Sequence, residues 1–232
     1  MDMTTMSNDA MIPVPVVLGR VKLKECQKRT DLLALYSDYT GCMKCAARNS
    51  TMPTFSCGDP ESRVAIIGLN PGAEEDREGV PFIGKAGRWF RNAFAKGASA
   101  LSQPLLHPDN MFITNMARCQ FIDEKNWNRL PYTAEYNNCI ELLAKEIEIV
   151  NPDLLILFGK DTITRLASHL AFQKMANIQG EVFNVEIFHR PIQAIAMYHP
   201  SYLVRLEGSA GYDAAASRMW EAMRVVDRII GG

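Results

Sequence analysis

The feature that most constrains the fold is a series of four short, continuous apolar segments, separated by stretches with helical periodicity. They lie at 64–69, 111–114, 154–158 and 192–198. Apolar runs of this length, bounded by polar, Gly or Pro residues, are typical of strands that are buried on both faces. Because such strands alternate here with amphipathic helices, the pattern predicts an α/β fold with a mainly parallel sheet between two helical layers.

The intervening stretches carry apolar residues at helical spacing. In 133–150, Ile140, Leu143 and Ile147 fall on one face. Further helices are predicted within 21–39 and at 86–95, 161–170 and 213–230. We therefore expect a three-layer sandwich around a four-stranded sheet, formed as a single domain by residues 21–232. Residues 1–20 are polar and then interrupted by prolines, so we expect them to form a flexible arm.

Charge and composition exclude several classes of protein. The net charge of −1 argues against non-specific coating of polyanions. No apolar run approaches the roughly 20 residues that a membrane span requires, and the first residues lack the pattern of a secretory signal. We expect a cytoplasmic protein with no membrane partner. Six cysteines in such a chain favour either a metal site or scattered buried thiols.

Polar residues follow three of the four predicted strands. Asn70 follows the first, Asn115 follows the second and His199 follows the fourth. Open parallel sheets bind ligands at the carboxyl ends of their strands, so these three side chains predict one shared site. The alternative is that they only cap loops, since Asn and its Pro and Gly neighbours are ordinary turn formers.

Five segments, in chain order, resemble motifs of the uracil-DNA glycosylase superfamily, and in particular its iron–sulfur branch, family 4. They are GLNPGAEED at 68–76, GVPFIGKAG at 79–87, TNMARC at 114–119, NRLP at 128–131 and HPSYLVR at 199–205. The resemblance departs from family 4 at Leu69 and Asn70, where that branch usually has Glu and a small residue. Asn70 instead resembles the Asn with which the mismatch-specific and single-strand-selective branches position the attacking water.

The resemblance implies a set of site residues. Asn70 would orient water and His199 would donate a hydrogen bond to the departing base, while Phe82 stacks on the base and Asn115 reads its edge. Leu203 would be the wedge that fills the gap left by the flipped base. The implied residues are catalytic Asn70 and His199; base-binding Gly68, Leu69, Gly72, Glu75, Phe82 and Asn115; and DNA-binding Lys85, Arg88, Ser201, Tyr202, Leu203 and Arg205.

Each of these assignments has a plainer alternative. Phe82 and Leu203 are equally well read as core residues, because buried apolar side chains look the same in sequence. Glu75 lies in the acidic run Glu74-Glu75-Asp76, which also reads as a solvated surface loop. The stretch 84–97 has four basic residues and no acid, which suits phosphate contacts but also suits a solvated helix face.

Four cysteines match family positions. Cys42 and Cys45 form a C-x-x-C pair, and Cys119 and Cys139 flank the NRLP segment. In the family such cysteines hold a [4Fe–4S] cluster, which here would tie the N-terminal segment to the loop after the second strand. Four thiolates also suit zinc, and the sequence does not separate the two metals.

The resemblance implies a monomeric, monofunctional DNA glycosylase that removes uracil and leaves an abasic site. No Lys in the two catalytic motifs is placed to form a Schiff base, so strand cleavage is not expected. Two alternatives stay open at this point. One is excision of a modified pyrimidine, such as a hydroxymethylated or glucosylated phage base. The other is a catalytically silent iron–sulfur module that only binds DNA.

Overall fold

The protein is described by a computed structural model that covers residues 17–45, 52–103, 106–187 and 189–232. Within these ranges seven strands form one sheet. They are β1 (Lys22–Leu23), β2 (Cys57–Gly58), β3 (Val64–Gly68), β4 (Phe112–Asn115), β5 (Leu154–Phe158), β6 (Val182–Ile187) and β7 (Arg190–Met197). Their order is β1-β2-β4-β3-β5-β7-β6. The α/β prediction is confirmed.

The four predicted strands form the parallel centre of the sheet, β4-β3-β5-β7. The prediction of a sheet with only four strands is wrong. Two of the extra strands, β1 and β2, have two residues each and are too short to show any periodicity. The third, β6, pairs antiparallel with β7 at an edge and contains exposed polar residues next to its buried ones, so it has no continuous apolar run.

Eight α-helices accompany the sheet in the described ranges. They are α1 (Gln27–Ser37), α2 (Ala73–Glu78), α3 (Lys85–Ala98), α4 (Thr133–Val150), α5 (Lys160–Leu166), α6 (Met175–Ile178), α7 (Pro200–Leu206) and α8 (Tyr212–Gly231). Short 3₁₀ helices lie at Pro108–Asn110 and Ser168–Leu170. The predicted helices all occur, and α4 has the predicted bounds.

Alternation along the strands divides the core into two layers. Ala65, Ile67 and Leu155 belong to one cluster, with buried residues of α1 and α4. Val64 and Ile66 belong to the other cluster, with buried residues of α3 and α8. Successive side chains of a strand point to opposite faces of the sheet. Because helices cover both faces here, the central strands are buried on both sides and form continuous apolar runs in the sequence.

The register of the parallel strands aligns their carboxyl ends. Gly68 at the end of β3 is paired with Asn115 at the end of β4, and Phe158 at the end of β5 is paired with Met197 at the end of β7. The segments that follow these strands therefore meet at one edge of the sheet.

Most of the predicted N-terminal arm lies outside the described residues. Its last four residues, 17–20, are packed on the fold: Val17 is buried in the core, and Arg20 donates a hydrogen bond to the Asp76 carbonyl at 2.7 Å. Residues 17–20 therefore belong to the folded part of the chain. Among the described residues no helix combines the length and the apolar character needed to cross a membrane.

Candidate active site

A cleft of about 940 Å³ opens at the carboxyl edge of the sheet. Most of the predicted site residues line it: Leu69, Asn70, Gly72, Glu75, Phe82, Lys85, Asn115, His199, Ser201, Tyr202 and Arg205. The three polar strand-end residues thus share one site. Gly68, Arg88 and Leu203 are not among the lining residues.

His199 precedes α7 and is held by the residue two positions on. Its Nδ1 accepts a hydrogen bond from the Ser201 backbone N–H at 3.1 Å and lies 2.8 Å from Ser201 Oγ. Burial, with a smaller contribution from the positive charge of Arg205, lowers the pKa of His199 from 6.5 to about 4. His199 is therefore neutral at physiological pH, and since Nδ1 accepts, its proton is on Nε2.

Phe82 lies beside this imidazole. The two ring centroids are 5.9 Å apart, and the ring centroid of Phe158 lies 5.7 Å from that of Phe82. The backbone of Phe82 has φ 55°, which is uncommon for a bulky residue. Gly87 makes this conformation possible, because a Cβ there would lie 2.0 Å from the Phe82 carbonyl. Phe82 is both a core residue and a wall of the cleft.

Glu75 ties two loops of the site together. Its Oε1 accepts hydrogen bonds from the backbone N–H groups of Ile83 at 3.0 Å and Gly84 at 2.7 Å, and its Oε2 accepts from that of Gly72 at 3.2 Å. The residue is buried, so the interpretation as part of a solvated acidic loop is wrong for Glu75. Its contacts hold the turn after β3 against the loop that carries Phe82.

Asn115 is almost fully buried at the end of β4. A Cβ on Gly68, its partner in the sheet, would lie 2.4 Å from Asn115 Oδ1 and 2.6 Å from Phe82 Cζ. Glycine at 68 therefore leaves the space that these two side chains occupy. Asn70, on the next loop, donates from Nδ2 to the Pro71 carbonyl at 3.0 Å, which leaves its Oδ1 to accept a hydrogen bond.

The predicted DNA-binding residues differ in how closely their side chains are already paired within the protein. Lys85 is exposed and lies 3.9 Å from Glu207, whereas the exposed Arg88 is paired with Glu74 at 2.6 Å. Tyr202 is exposed on the rim, and Arg205 donates to Ser201 Oγ at 3.2 Å.

Leu203 is completely buried in the core beneath α7. This burial contradicts the prediction that Leu203 is the side chain inserted into DNA, because a wedge must be accessible before contact. The helical turn points Tyr202 outwards at this place and Leu203 inwards.

Some lining residues had no predicted role. Asn128, Arg129 and Leu130 line the cleft, and so do Lys160 and the residues after it at the start of α5. The first group lies in the NRLP segment. The second follows β5, and the polar pair Lys160-Asp161 just after that strand is the signal in the sequence that marks it.

A buried ion pair lies behind the site. Arg118 and Glu146 are both fully buried and hydrogen-bonded to each other, and Glu146 also accepts from Thr114 Oγ1 at 2.9 Å and from the Tyr36 hydroxyl at 2.6 Å. Glu146 raises the pKa of Tyr36, after the larger effect of burial. The network joins α1, β4 and α4, and nothing in the sequence pairs these residues.

The four predicted metal ligands, Cys42, Cys45, Cys119 and Cys139, line one small cavity. All are free thiols. No three His, Cys, Asp or Glu side chains in the described ranges converge closely enough to hold a metal ion. The chemistry of the donor set nevertheless fits a thiolate-ligated centre: four cysteine residues line one cavity, and the positive charge of Arg118 opposes the rise in the pKa of Cys139 that burial causes.

A cleft of this kind lies at the carboxyl edge of the parallel centre of an α/β sheet and is bordered by an aromatic ring, two carboxamides and a neutral imidazole, a combination that suits a flat, polar ring. Residues 55–224 match the family described as the uracil DNA glycosylase superfamily. The chain belongs to that superfamily. Cys42 and Cys45 lie before the matched residues.

Three curated relatives are similar over most of their length, and each is named as a type-4 uracil-DNA glycosylase. The relative from Archaeoglobus fulgidus is 26% identical over 69% of this chain and 76% of its own length. Those from Thermotoga maritima and Pyrobaculum aerophilum are 27% and 28% identical, over 76% and 75% of this chain and 85% of their own length in both cases. The predicted superfamily is confirmed, and these relatives place the chain near its family 4 branch.

Proposed function

We propose that this protein is a monofunctional uracil-DNA glycosylase, which hydrolyses the bond between uracil and deoxyribose and leaves an abasic site. The observation that carries the proposal is a neutral His199 in the same cleft as Asn70, Asn115 and Phe82. The names of the relatives favour uracil over a modified pyrimidine, and the complete set of polar site residues disfavours a silent DNA-binding module.

Base selection follows from the cleft walls. An enzyme that acts on a base takes it out of the stack into a closely fitting pocket. Phe82 offers the flipped base an aromatic face. The buried carboxamide of Asn115 carries both a donor and an acceptor, which matches the adjacent N–H and carbonyl on the edge of uracil.

Bond cleavage uses the remaining two polar groups. As the C1′–N1 bond breaks, its electron pair moves to the base and positive charge develops on the sugar. His199 donates from Nε2–H to a carbonyl oxygen of the departing anion, and Asn70 orients the water that adds to C1′. That water loses its proton to solvent, and the uracil anion is protonated after release. An imidazole that is neutral at the start donates this hydrogen bond without transferring its proton.

A strand-cleaving reaction would need an amine at C1′. Lys160 is the lysine nearest a strand end in the cleft, and its Nζ donates to the carbonyls of Leu170 at 2.6 Å and of Gln173. Lys85 points to the exposed rim near Glu207. These contacts support hydrolysis without a Schiff base. Lys85, Ser201, Tyr202 and Arg205 border the cleft where the DNA strand would enter.

We further propose that Cys42, Cys45, Cys119 and Cys139 hold a [4Fe–4S] cluster. Such a cluster would be a structural cross-link here and would supply no redox step. The protein itself already joins these segments, since Asn138 Nδ2 donates to the Lys44 carbonyl at 2.8 Å. The cytoplasmic location, the monomeric state and the single-domain boundaries stay predictions.

The test is release of uracil from a labelled single-stranded oligonucleotide, read as alkali-labile sites. Asn70→Ala and His199→Ala should each lower the single-turnover rate by roughly 10²–10³-fold, the usual effect of losing one such group. His169→Ala, which removes an exposed imidazole outside the cleft, should be unchanged. Uracil release that survives both substitutions would contradict the mechanism. Absence of release by the wild-type protein from single-stranded and double-stranded substrates would contradict the function.

A further inference from the structure

The segment that follows β4 carries a group of exposed apolar side chains at the edge of the cleft. We call residues 121–132 the rim loop. Trp127 is 72% exposed, Tyr132 66% and Leu130 53%. Leu130 and its neighbours Asn128 and Arg129 line the cleft, so this apolar surface is continuous with the proposed nucleotide site.

The rim loop is a tightly bonded turn. Asp123 Oδ1 accepts hydrogen bonds from the backbone N–H groups of Lys125 and Trp127, each at 2.9 Å. The Asp123 backbone N–H donates to the Trp127 carbonyl at 2.9 Å, and Ile122 and Asn128 form an antiparallel bridge. The backbone of Trp127 is thus held by two hydrogen bonds, whereas its side chain is largely exposed.

Arg129 anchors the base of the loop. Its guanidinium forms two hydrogen bonds of 2.7 Å with the Glu135 carboxylate and lies over the rings of Phe121 and Tyr132, at 5.2 and 4.2 Å from their centroids. This pairing raises the pKa of Arg129 and lowers that of Glu135. The charge of Arg129 is therefore already compensated within the protein.

The charges on the rest of the loop do not favour a phosphate contact. Asp123 and Glu124 carry negative charge, against one positive charge on Lys125. A rigid, exposed aromatic ring without surplus positive charge suits stacking on the face of a nucleobase. Such stacking depends little on which of the bases is present, because every base has an aromatic face.

We propose that the rim loop is a second DNA-contacting surface, on which the Trp127 indole stacks with an unpaired base of the strand beside the flipped nucleotide. Only the identity of that nucleotide rests on the proposed function. The surface takes single-stranded or locally opened DNA, because a base in an intact duplex has no free face to offer.

Tryptophan fluorescence tests this directly. The chain has three tryptophans. Trp89 donates to the Tyr212 hydroxyl and Trp220 packs on Phe94, and both are partly buried. Titration with an oligothymidylate that contains no uracil should quench the wild-type emission, and Trp127→Phe should abolish that quenching. A fully paired duplex should quench less.

Affinity separates stacking from other contacts. Trp127→Ala should raise the Kd for the oligothymidylate by roughly fivefold or more, since fivefold is the lower end of the effect expected for loss of one stacked base. Trp127→Phe should retain most of the affinity and Trp127→Leu should not. The ratio between wild-type and Trp127→Ala affinities should be the same at low and moderate salt, since no phosphate contact is removed. The Trp127 side chain is largely exposed, so all three variants should keep the wild-type Tm.

Several results would overturn the proposal: unchanged quenching in Trp127→Phe, equal affinity in Trp127→Ala, or an effect that disappears as salt is raised. Emission that depends on protein concentration and not on DNA would instead make the rim loop a contact between copies of the chain. Quenching at Trp127 without uracil release by the wild-type protein would refute the proposed function and leave this surface standing. Uracil release with no response at Trp127 would support the proposed function and refute the proposal for the rim loop.

Discussion

Replacement of His199 by Gln should change how stability depends on pH. His199 is buried as a neutral imidazole, and its pKa is about 4 in the folded protein against 6.5 as the ordinary value. Below pH 6.5 the unfolded chain therefore binds a proton that the folded protein does not. Stability must fall with decreasing pH over this window, because the unfolded state binds more protons.

The magnitude follows from the shift. A difference of one pKa unit corresponds to 1.36 kcal/mol, so the lowering from 6.5 to about 4 amounts to about 3 kcal/mol of stability, present above pH 6.5 and lost by pH 4. His199→Gln removes the titrating group. The difference in free energy of unfolding between wild type and variant should therefore shift by about 3 kcal/mol in favour of the variant across that range.

Urea unfolding followed by circular dichroism, at several pH values between 7.5 and 4, measures this difference. Carboxylates also titrate in the lower part of the range, but they are common to both proteins and cancel. Arg205→Gln provides an internal check: it removes the second cause of the lowered pKa, so its acid-induced loss should be smaller than that of wild type. A wild-type-to-Gln difference that is constant with pH would refute the claim that His199 is buried in neutral form.

Two further predictions concern the region behind the cleft. Arg118→Met leaves the buried Glu146 carboxylate without its cation and should cost about 3–5 kcal/mol in urea unfolding, whereas the double variant with Glu146→Leu should recover much of that loss; an unchanged single variant would contradict the buried pair. Protein purified without oxygen should contain about four iron and four sulfide ions per chain, a content that Cys139→Ser lowers and that Cys26→Ser, at a cysteine that does not line the cavity, leaves intact. Stoichiometric zinc in place of iron would contradict the cluster.

The fold was predictable where burial is continuous. Val64–Gly68 and Leu154–Phe158 are buried on both faces, so each gives an uninterrupted apolar run whose chain order already implies parallel pairing. Edge strands have no such signal. Val182–Ile187 is half solvated, and Lys22–Leu23 is a strand only because it meets Cys57–Gly58. Their pairing depends on tertiary contacts that periodicity does not record.

The grouping of Asn70, Asn115 and His199 in one cleft was predictable from residue type and position along the chain, whereas the orientation of individual side chains was not. Asn70, Asn115 and His199 follow strands that end at one edge, and the cleft contains all three. Leu203 and Tyr202 are neighbours in a loop motif, and only the helical turn of α7 decides which of them faces the core. Glu75 resembles a surface acid in the sequence because its hydrogen-bond partners are backbone N–H groups. Nearly every residue has such a group, so no residue type in the sequence marks these partners.

The position of Asn115 depends both on the sheet and on the groups that lie behind it in the core. The segment after β4 continues the pairing with β3, since the backbone N–H groups of Met116 and Ala117 donate to the carbonyls of Gly68 and Leu69 at 2.8 Å each. The next residue, Arg118, is held from inside the core by Glu146, and Cys119 follows at the cysteine-lined cavity. A side chain that recognises a base through hydrogen bonds must be held in a fixed position relative to the edge of that base. The short run from Asn115 to Cys119 meets this requirement because it is fixed at the sheet, at the buried ion pair and at the proposed cluster. A metal-free protein should accordingly lose discrimination between bases before it loses the fold, since the sheet pairing and the ion pair do not involve the cysteines.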